Sequence, residues 1–398
     1  MESYRNPDFV RDHAIKIIEF YKPLVRDKEN GGYYCAYLDD GEVYDKNIKD
    51  LISTTRFILN FCFGIFLGGS EEYKDYIRHG LEFLEIIHRD DINGGYHQVA
   101  NGITPVIGNK MTYGQAFCLC AASNAYRAGV KEAYPLISRI YDFMENKLWN
   151  EENSLYVDEC SNDFEKIEPY RGQNSNMHMT EAMLAAYEAT NEIRYLDRAY
   201  KLAYKIVVDL AKQSKGMVWE HYKTNWVIDW EYNKDDPRNL YRPYGFLAGH
   251  FTEWSKLLLI LERYKPADWQ LEVAEFLFNK AMDLAWDSEN GGINYTFDLD
   301  GNILDDERYY WTHAETLAAS ASLALRTGNE DYWEKYKECW EYPERYFVDK
   351  KYGGGWYRVL SREGEPLSDK KSPPGKSDYH VIGACYEIVR SMEHYGIS

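Results

Sequence analysis

The chain has 398 residues, with 65 acidic side chains against 46 basic ones and a formal net charge of −19. That balance excludes nucleic acid and anionic membrane surfaces as partners, because both repel it. Hydrophobic residues make up 45% of the chain and aromatics 16%, with 36 Tyr and 11 Trp, which allows a sizeable core and fits either a Tyr-rich interior or a carbohydrate or peptide cleft.

The start, MESYRNPDF, has no basic segment followed by an apolar one, so no secretory signal is read there. The first phrase of interest is ENGGYYCAYLDDGE at 29–42: a Gly pair suited to positive φ, an alternating aromatic run, then an Asp-Gly turn. Next comes FILNFCFGIFLGG (57–69), too short for the ~20 residues of a membrane span. Tyr73, Tyr76, Ile77, Leu81 and Leu84 then recur at helical spacing. The phrase returns as INGGYH (92–97), weakly as NSLYVDE (153–159) and KGMVWEHY (215–222), then as ENGGINYTFDLDGN (289–302) and YGGGWY (352–357).

Between these six starts lie paired helical patterns, such as MTYGQAFCLCAASNAYRAG with AYPLISRIYDFMENKLW. A helix pair cannot bury both its faces alone, so repeats of this length stack or close. The expected fold is all-α: an (α/α)6 barrel of six helical hairpins with short β excursions, each phrase marking the turn between the helices of a hairpin. The only Pro/Lys/Ser-rich stretch, GEPLSDKKSPPGKSD (364–378), reads as a mobile loop inside the sixth unit, so residues 1–398 are taken as a single domain. The seven cysteines are odd in number and scattered, with no Cys-x-x-Cys, which reads as reduced core thiols in a cytoplasmic protein.

Of the ten histidines, His13, His79, His88 and His394 sit among charged residues and read as solvated. His97 and His221 fall in β excursions and read as structural. Four others open inner helices: His178 in RGQNSNMHMTEA, His250 in AGHFTEW, His313 in WTHAE and His380 in KSDYH. Asn174, His178 and Glu181 share one helix face, as do His250 and Glu253, and a carboxylate beside an imidazole orients the ring and raises its basicity. Trp311 and Glu315 stand four apart. Arg56 opens an inner helix with no phosphate-binding loop nearby, which suits a developing oxyanion. No metal-ligand spacing, P-loop, G-x-S-x-G or dinucleotide fingerprint accompanies these residues.

The ordered blocks RGQNSNMHMTEA, AGHFTEW, WTHAE and KSDYH resemble the signature of the N-acylglucosamine 2-epimerase superfamily over essentially the whole chain. The segment from Glu220 to Trp254 is most similar to its mannose and sulfoquinovose isomerase branch. The resemblance implies an (α/α)6 barrel and metal-free, cofactor-free proton transfer at C2 of an opened free sugar, mannose above all, giving fructose, glucose or both. It implies His250 and His380 as acid and base, Arg56 and Asn174 at the enediolate oxygens, and His178 at ring opening or binding. It further implies Glu253 in support of His250 and Trp311 on the sugar face. Tyr113, Glu315 and Arg242 complete the expected substrate-binding set. Ala248 stands where the family commonly has Pro. PPGKSD replaces the stretch that carries an extra Trp in cellobiose-acting members, and Leu240 replaces a basic residue of the sulfosugar branch.

The competing readings are an N-acylglucosamine or cellobiose 2-epimerase, a glycoside hydrolase using Glu181, Glu253 or Glu315, and a non-catalytic sugar-binding module. A monosaccharide is the expected partner, and a monomer or homodimer the expected assembly.

Overall fold

The computed structural model describes residues 3–397. Among them are twelve α-helices: α1 (Pro7–Tyr21), α2 (Leu51–Phe66), α3 (Tyr73–Phe83), α4 (Thr112–Arg127), α5 (Tyr134–Lys147), α6 (Gln173–Thr190), α7 (Ile193–Tyr204), α8 (Ala248–Tyr264), α9 (Asp268–Ala285), α10 (Tyr310–Thr327), α11 (Glu330–Tyr346) and α12 (Tyr379–His394). The sequence makes two kinds of helix. In α3 only one face is buried, through Tyr73, Tyr76, Ile77, Gly80 and Leu81 at helical spacing. In α2 every residue from Leu51 to Gly64 is buried, which marks a helix covered on all sides.

The even-numbered helices touch one another in the order α2, α4, α6, α8, α10, α12, and α12 touches α2. Helices joined by short loops pack together, α2 on α3 and likewise through α10 on α11, while α1 packs on α12. Each repeated phrase instead follows an odd-numbered helix and leads into the next even-numbered one. That differs from the expectation: helices joined through a phrase touch little, so the phrase separates packed pairs rather than turning within one.

The phrases form a scaffold of their own. The strand before each even-numbered helix pairs with the following excursion: 48–50 with 99–101, 110–111 with 159–160, 171–172 with 221–222, 246–247 with 296–297, and 308–309 with 359–360. A bridge between Tyr37 and Ser372 joins the first excursion to the last. These ladders gather the N-terminal turns of the even-numbered helices at one end of the molecule.

Within the phrase an aspartate does the organising. Asp27 Oδ1 accepts the N–H groups of Glu29 (2.9 Å) and Asn30 (3.0 Å), and its other oxygen takes the ammonium of Lys49 at 2.7 Å. The same arrangement recurs as Asp90 with Lys110 (2.7 Å), Asp287 with Arg308 (2.7 Å) and Asp349 with Lys371 (2.6 Å). Gly32 follows at φ +67, and a Cβ there would lie 2.6 Å from the ring of Phe83, so only glycine fits. The N–H of the residue that follows the glycines is then accepted by a side chain of the next even-numbered helix or its cap: Tyr96 by Gln115, Ile293 by His313, Trp356 by Asp378.

The two weak echoes lack the ion pair. Asn150 replaces the aspartate in the third unit, accepting Asn153 N–H at 2.9 Å. No helix among the described residues is long and apolar enough to cross a membrane, and all seven cysteines are free and buried.

Candidate active site

The first two turns of the even-numbered helices carry most of the polar residues. His250, in the first turn of α8, is 6% exposed. Its Nδ1 lies 2.9 Å from both carboxylate oxygens of Glu220, at the end of the fourth excursion. Gln173, first residue of α6, locks this pair: its Oε1 accepts the Trp254 indole N–H at 2.8 Å, so its amide group faces Glu220 (3.0 Å) and His250 (2.9 Å). Gly249 lets the neighbouring indole close in, since a Cβ there would lie 2.3 Å from Trp311.

His380, in the first turn of α12, is equally buried. Its Nδ1 meets Glu315 Oε1 at 2.7 Å, and its Nε2 lies 3.2 Å from the Arg56 guanidinium. An Nδ1–H donated to Glu315 and an Nε2 lone pair facing Arg56 is the neutral tautomer these partners specify. Burial, then the positive charge of Arg56, then His178 and Lys256, hold the ring well below the usual histidine pKa. Glu315 Oε2 accepts from Lys256 at 2.5 Å. Burial raises the Glu315 pKa above the usual range, with Lys256 opposing it.

Both imidazoles lie against one indole, His250 at 5.1 Å and His380 at 5.7 Å from Trp311, centre to centre. Arg56 donates to the hydroxyl of Tyr113 (2.8 Å) and to the carbonyl of Gly375, and sits over the rings of Phe117 and Tyr379. Gly375 is held in turn by Ser53 Oγ at 2.7 Å. The 364–378 segment is therefore pinned to the site, where the sequence reading expected a mobile loop. Lys371 and Lys376, both buried, pin it further through Asp349 and the Trp356 carbonyl.

His178 completes the cluster, its Nδ1 2.9 Å from Glu181 and its ring 6.4 Å from that of His380. Glu253 sits between: its carboxylate is 3.9 Å from His178 Nδ1, and neither oxygen has a hydrogen-bond partner. Burial, then the Glu315 charge, push its pKa well up. Two triplets, His178/Glu181/Glu253 and Glu253/Glu315/His380, bring ligand atoms within 4.8 Å of one another and have the donor set for a divalent cation. Glu181 and Glu315 are each already engaged by a histidine.

Several expectations change. Glu253 does not support His250; Glu220 does, because the Nδ1 edge of that ring faces the excursion while Glu253 points toward His178. Arg242 makes no hydrogen bond with the histidine cluster: it stacks on Tyr170 at 3.8 Å and pairs with Glu159 at 3.2 Å, in a neighbouring cleft of about 590 Å³. Asn174 stands one turn before His178 with a buried, unpartnered Oδ1.

His313 accepts Ile293 N–H and meets the Tyr309 carbonyl, a turn-holding role, and burial lowers it to about 3. His88 is fully buried and lowered to about 4, between Thr54 and the His97 carbonyl. His13 accepts the Trp356 indole N–H at 2.9 Å and is likewise lowered to about 4 by burial. Neither is a solvated side chain.

Comparison with known proteins places the chain in a family. The model of the N-acylglucosamine 2-epimerase (GlcNAc 2-epimerase) family matches residues 12–384. The chain is 41% identical to the D-mannose isomerase of Marinomonas mediterranea, over 98% of each chain. It is 28% identical to the cellobiose 2-epimerase of Ruminococcus albus, over 94% of this chain and 95% of that one. A crystal structure of a D-mannose isomerase superposes with a TM-score of 0.94 at 42% identity, covering 97% of this chain and 98% of the other.

Proposed function

This chain belongs to the N-acylglucosamine 2-epimerase family, and we propose that it isomerises free D-mannose to D-fructose on a single (α/α)6-barrel domain. The six even-numbered helices would form the inner ring and the odd-numbered ones the outer. Support for the barrel comes from the cyclic order of helix contacts and from the ladders that link successive excursions.

One observation carries the chemistry. Two imidazoles lie against the Trp311 indole, each with a carboxylate on Nδ1, and one of them points its other nitrogen at a buried guanidinium. Abstraction of a proton next to a carbonyl needs a base that is neutral at working pH and a fixed positive site for the enediolate. In this reading His380 Nε2 takes the C2 proton of open-chain mannose, and the negative charge that develops on O1 falls to Arg56. The hydroxyl proton of O2 passes to O1, His380 returns its proton to C1, and fructose results. His250, held by Glu220 at its Nδ1, is the acid for ring opening. Proton return to C2 from His250 instead would give glucose.

The hydrolase reading needs two carboxylates free to act as acid and nucleophile or base. Here Glu181 and Glu315 are both bound to histidines, which favours the isomerase. The mannose-isomerase relatives bring the substrate, and the free thiols fit a cytoplasmic location.

The test is NMR of mannose incubated with the protein in deuterated water containing chelator. Fructose is the expected product, deuterated in part at C1. Absence of both fructose and glucose would overturn the proposal.

A further inference from the structure

Lys256 has no part in the mechanism above, yet it is buried within the site. It lies on α8, three residues after Glu253, and its side chain is only 8% exposed. Its ammonium donates to one oxygen of Glu315 while the other oxygen receives His380 Nδ1–H. Lys256, Glu315 and His380 thus form a buried relay from three helices, α8, α10 and α12.

The charges around this relay decide what Lys256 does. Arg56 (α2) and the hydroxyls of Tyr113 (α4), Tyr310 (α10) and Tyr379 (α12) face the His380 end. Glu181 and His178 (α6) and Glu253 (α8) face the middle. Without the ammonium, the carboxylates of Glu315 and Glu181 would face Arg56 alone, next to Glu253. A buried surplus of negative charge is relieved by taking up a proton. The nearest acceptors are Glu315 itself and His380, and protonation of either one spoils the base. A protonated Glu315 no longer fixes the Nδ1–H tautomer, and a protonated His380 has no lone pair for C2. An ammonium solves this, since it neutralises Glu315 without occupying the imidazole.

We propose that Lys256 is a positioning residue that acts through Glu315 to keep His380 Nε2 unprotonated and aimed at the substrate. The inference rests on the assignment of His380 as the base. It predicts a pH effect of definite sign. Removing the ammonium raises the proton affinity of the Glu315–His380 pair, so the acid limb of kcat/KM moves to higher pH.

The experiment is the pH profile of kcat/KM for mannose with wild type, Lys256→Met and Lys256→Arg. For Lys256→Met the acid limb should rise by one pH unit or more, a tenfold extra loss on its acid side. Lys256→Arg, which keeps the charge, should hold the limb in place. A uniform loss across pH with an unmoved limb in Lys256→Met would overturn the proposal, since that is what lost packing alone would give. If Lys256→Met does not fold, Lys256→Gln is read the same way: an uncharged donor with a shifted limb supports the role, an unshifted one overturns it. A wild type that yields no product from mannose overturns the functional assignment itself. An active wild type with unshifted variants overturns only the role of Lys256.

Discussion

The turns between packed helix pairs and the site at the helix N-termini are built from the same materials and finished differently. Both bury carboxylates next to cations. In the turns every oxygen is spoken for: Asp27 has Lys49 on one side and two backbone N–H groups on the other. In the site the pairing is left incomplete, with both oxygens of Glu253, Oδ1 of Asn174 and Nε of Arg56 buried and unpartnered. Full pairing repays the desolvation of buried charge and holds the fold. Incomplete pairing leaves donors and acceptors for a ligand, and leaves protons loosely held.

Breaking each region should therefore move a different observable. The largest effect belongs to His380→Asn, expected to lower kcat/KM for mannose about 10³- to 10⁴-fold, with a thermal midpoint close to that of wild type by calorimetry. Lys49→Met should do the reverse. It strands Asp27 as a buried unpaired charge and should cost about 3–5 kcal/mol in denaturant unfolding, with kcat of the folded fraction unchanged.

The turn aspartates also set an acid limit. Burial alone would raise Asp27, but Lys49 and the N–H groups of Asn30 and Glu29 outweigh it and bring it from 3.8 to about 2. Its folded value is depressed, so its contribution is present above pH ~4 and is lost as pH falls toward 2. Circular dichroism across that window should show cooperative acid unfolding in wild type and a smaller slope in Lys49→Met.

Glu220→Gln keeps the shape of the His250 pair and removes its charge. Roughly a hundredfold loss in kcat/KM is expected, which steady-state kinetics would check. The smallest effect is a gain. Glu253 has a raised folded pKa, so its contribution falls as pH climbs toward that value. Glu253→Gln should be more stable than wild type at pH 8–9 by on the order of 1 kcal/mol, and equal to it near pH 5. Equal stability at both pH values would show that Glu253 is not the strained acid described above.

Sequence reading reached the residues whose signal is local and lost those whose partners come from afar. His178 with Glu181 announces itself by spacing along one helix, and the helix-opening positions of His250 and His380 are visible in their blocks; Arg56, which the sequence reads as opening a helix, stands in the second turn of α2. Glu220 carries no assigned role in the sequence, because its partner lies 30 residues on and no spacing rule links them. Gln173 and Lys256 escaped for the same reason, reaching across 77 and 59 residues. His88 was misread for another cause. Residues Leu84–His88 are π-helical, and the wider turn rotates His88 off the face that a 3.6-residue period assigns to it. The repeated phrase is visible in the sequence, but its lock is not, because Asp27 and Lys49 stand outside residues 29–42. The Gly-Gly pair was the visible half of a device whose other half is an ion pair closing over 22 residues.

The docking of α12 has an outcome for the order of folding. α12 brings His380, packs on α1, and is preceded by the segment whose Gly375 carbonyl steadies Arg56. A folding chain can bring His250, Glu220 and Trp311 together and still lack the proposed base. In the proposed reaction, competence arrives in one step, with the contact between α1 and α12.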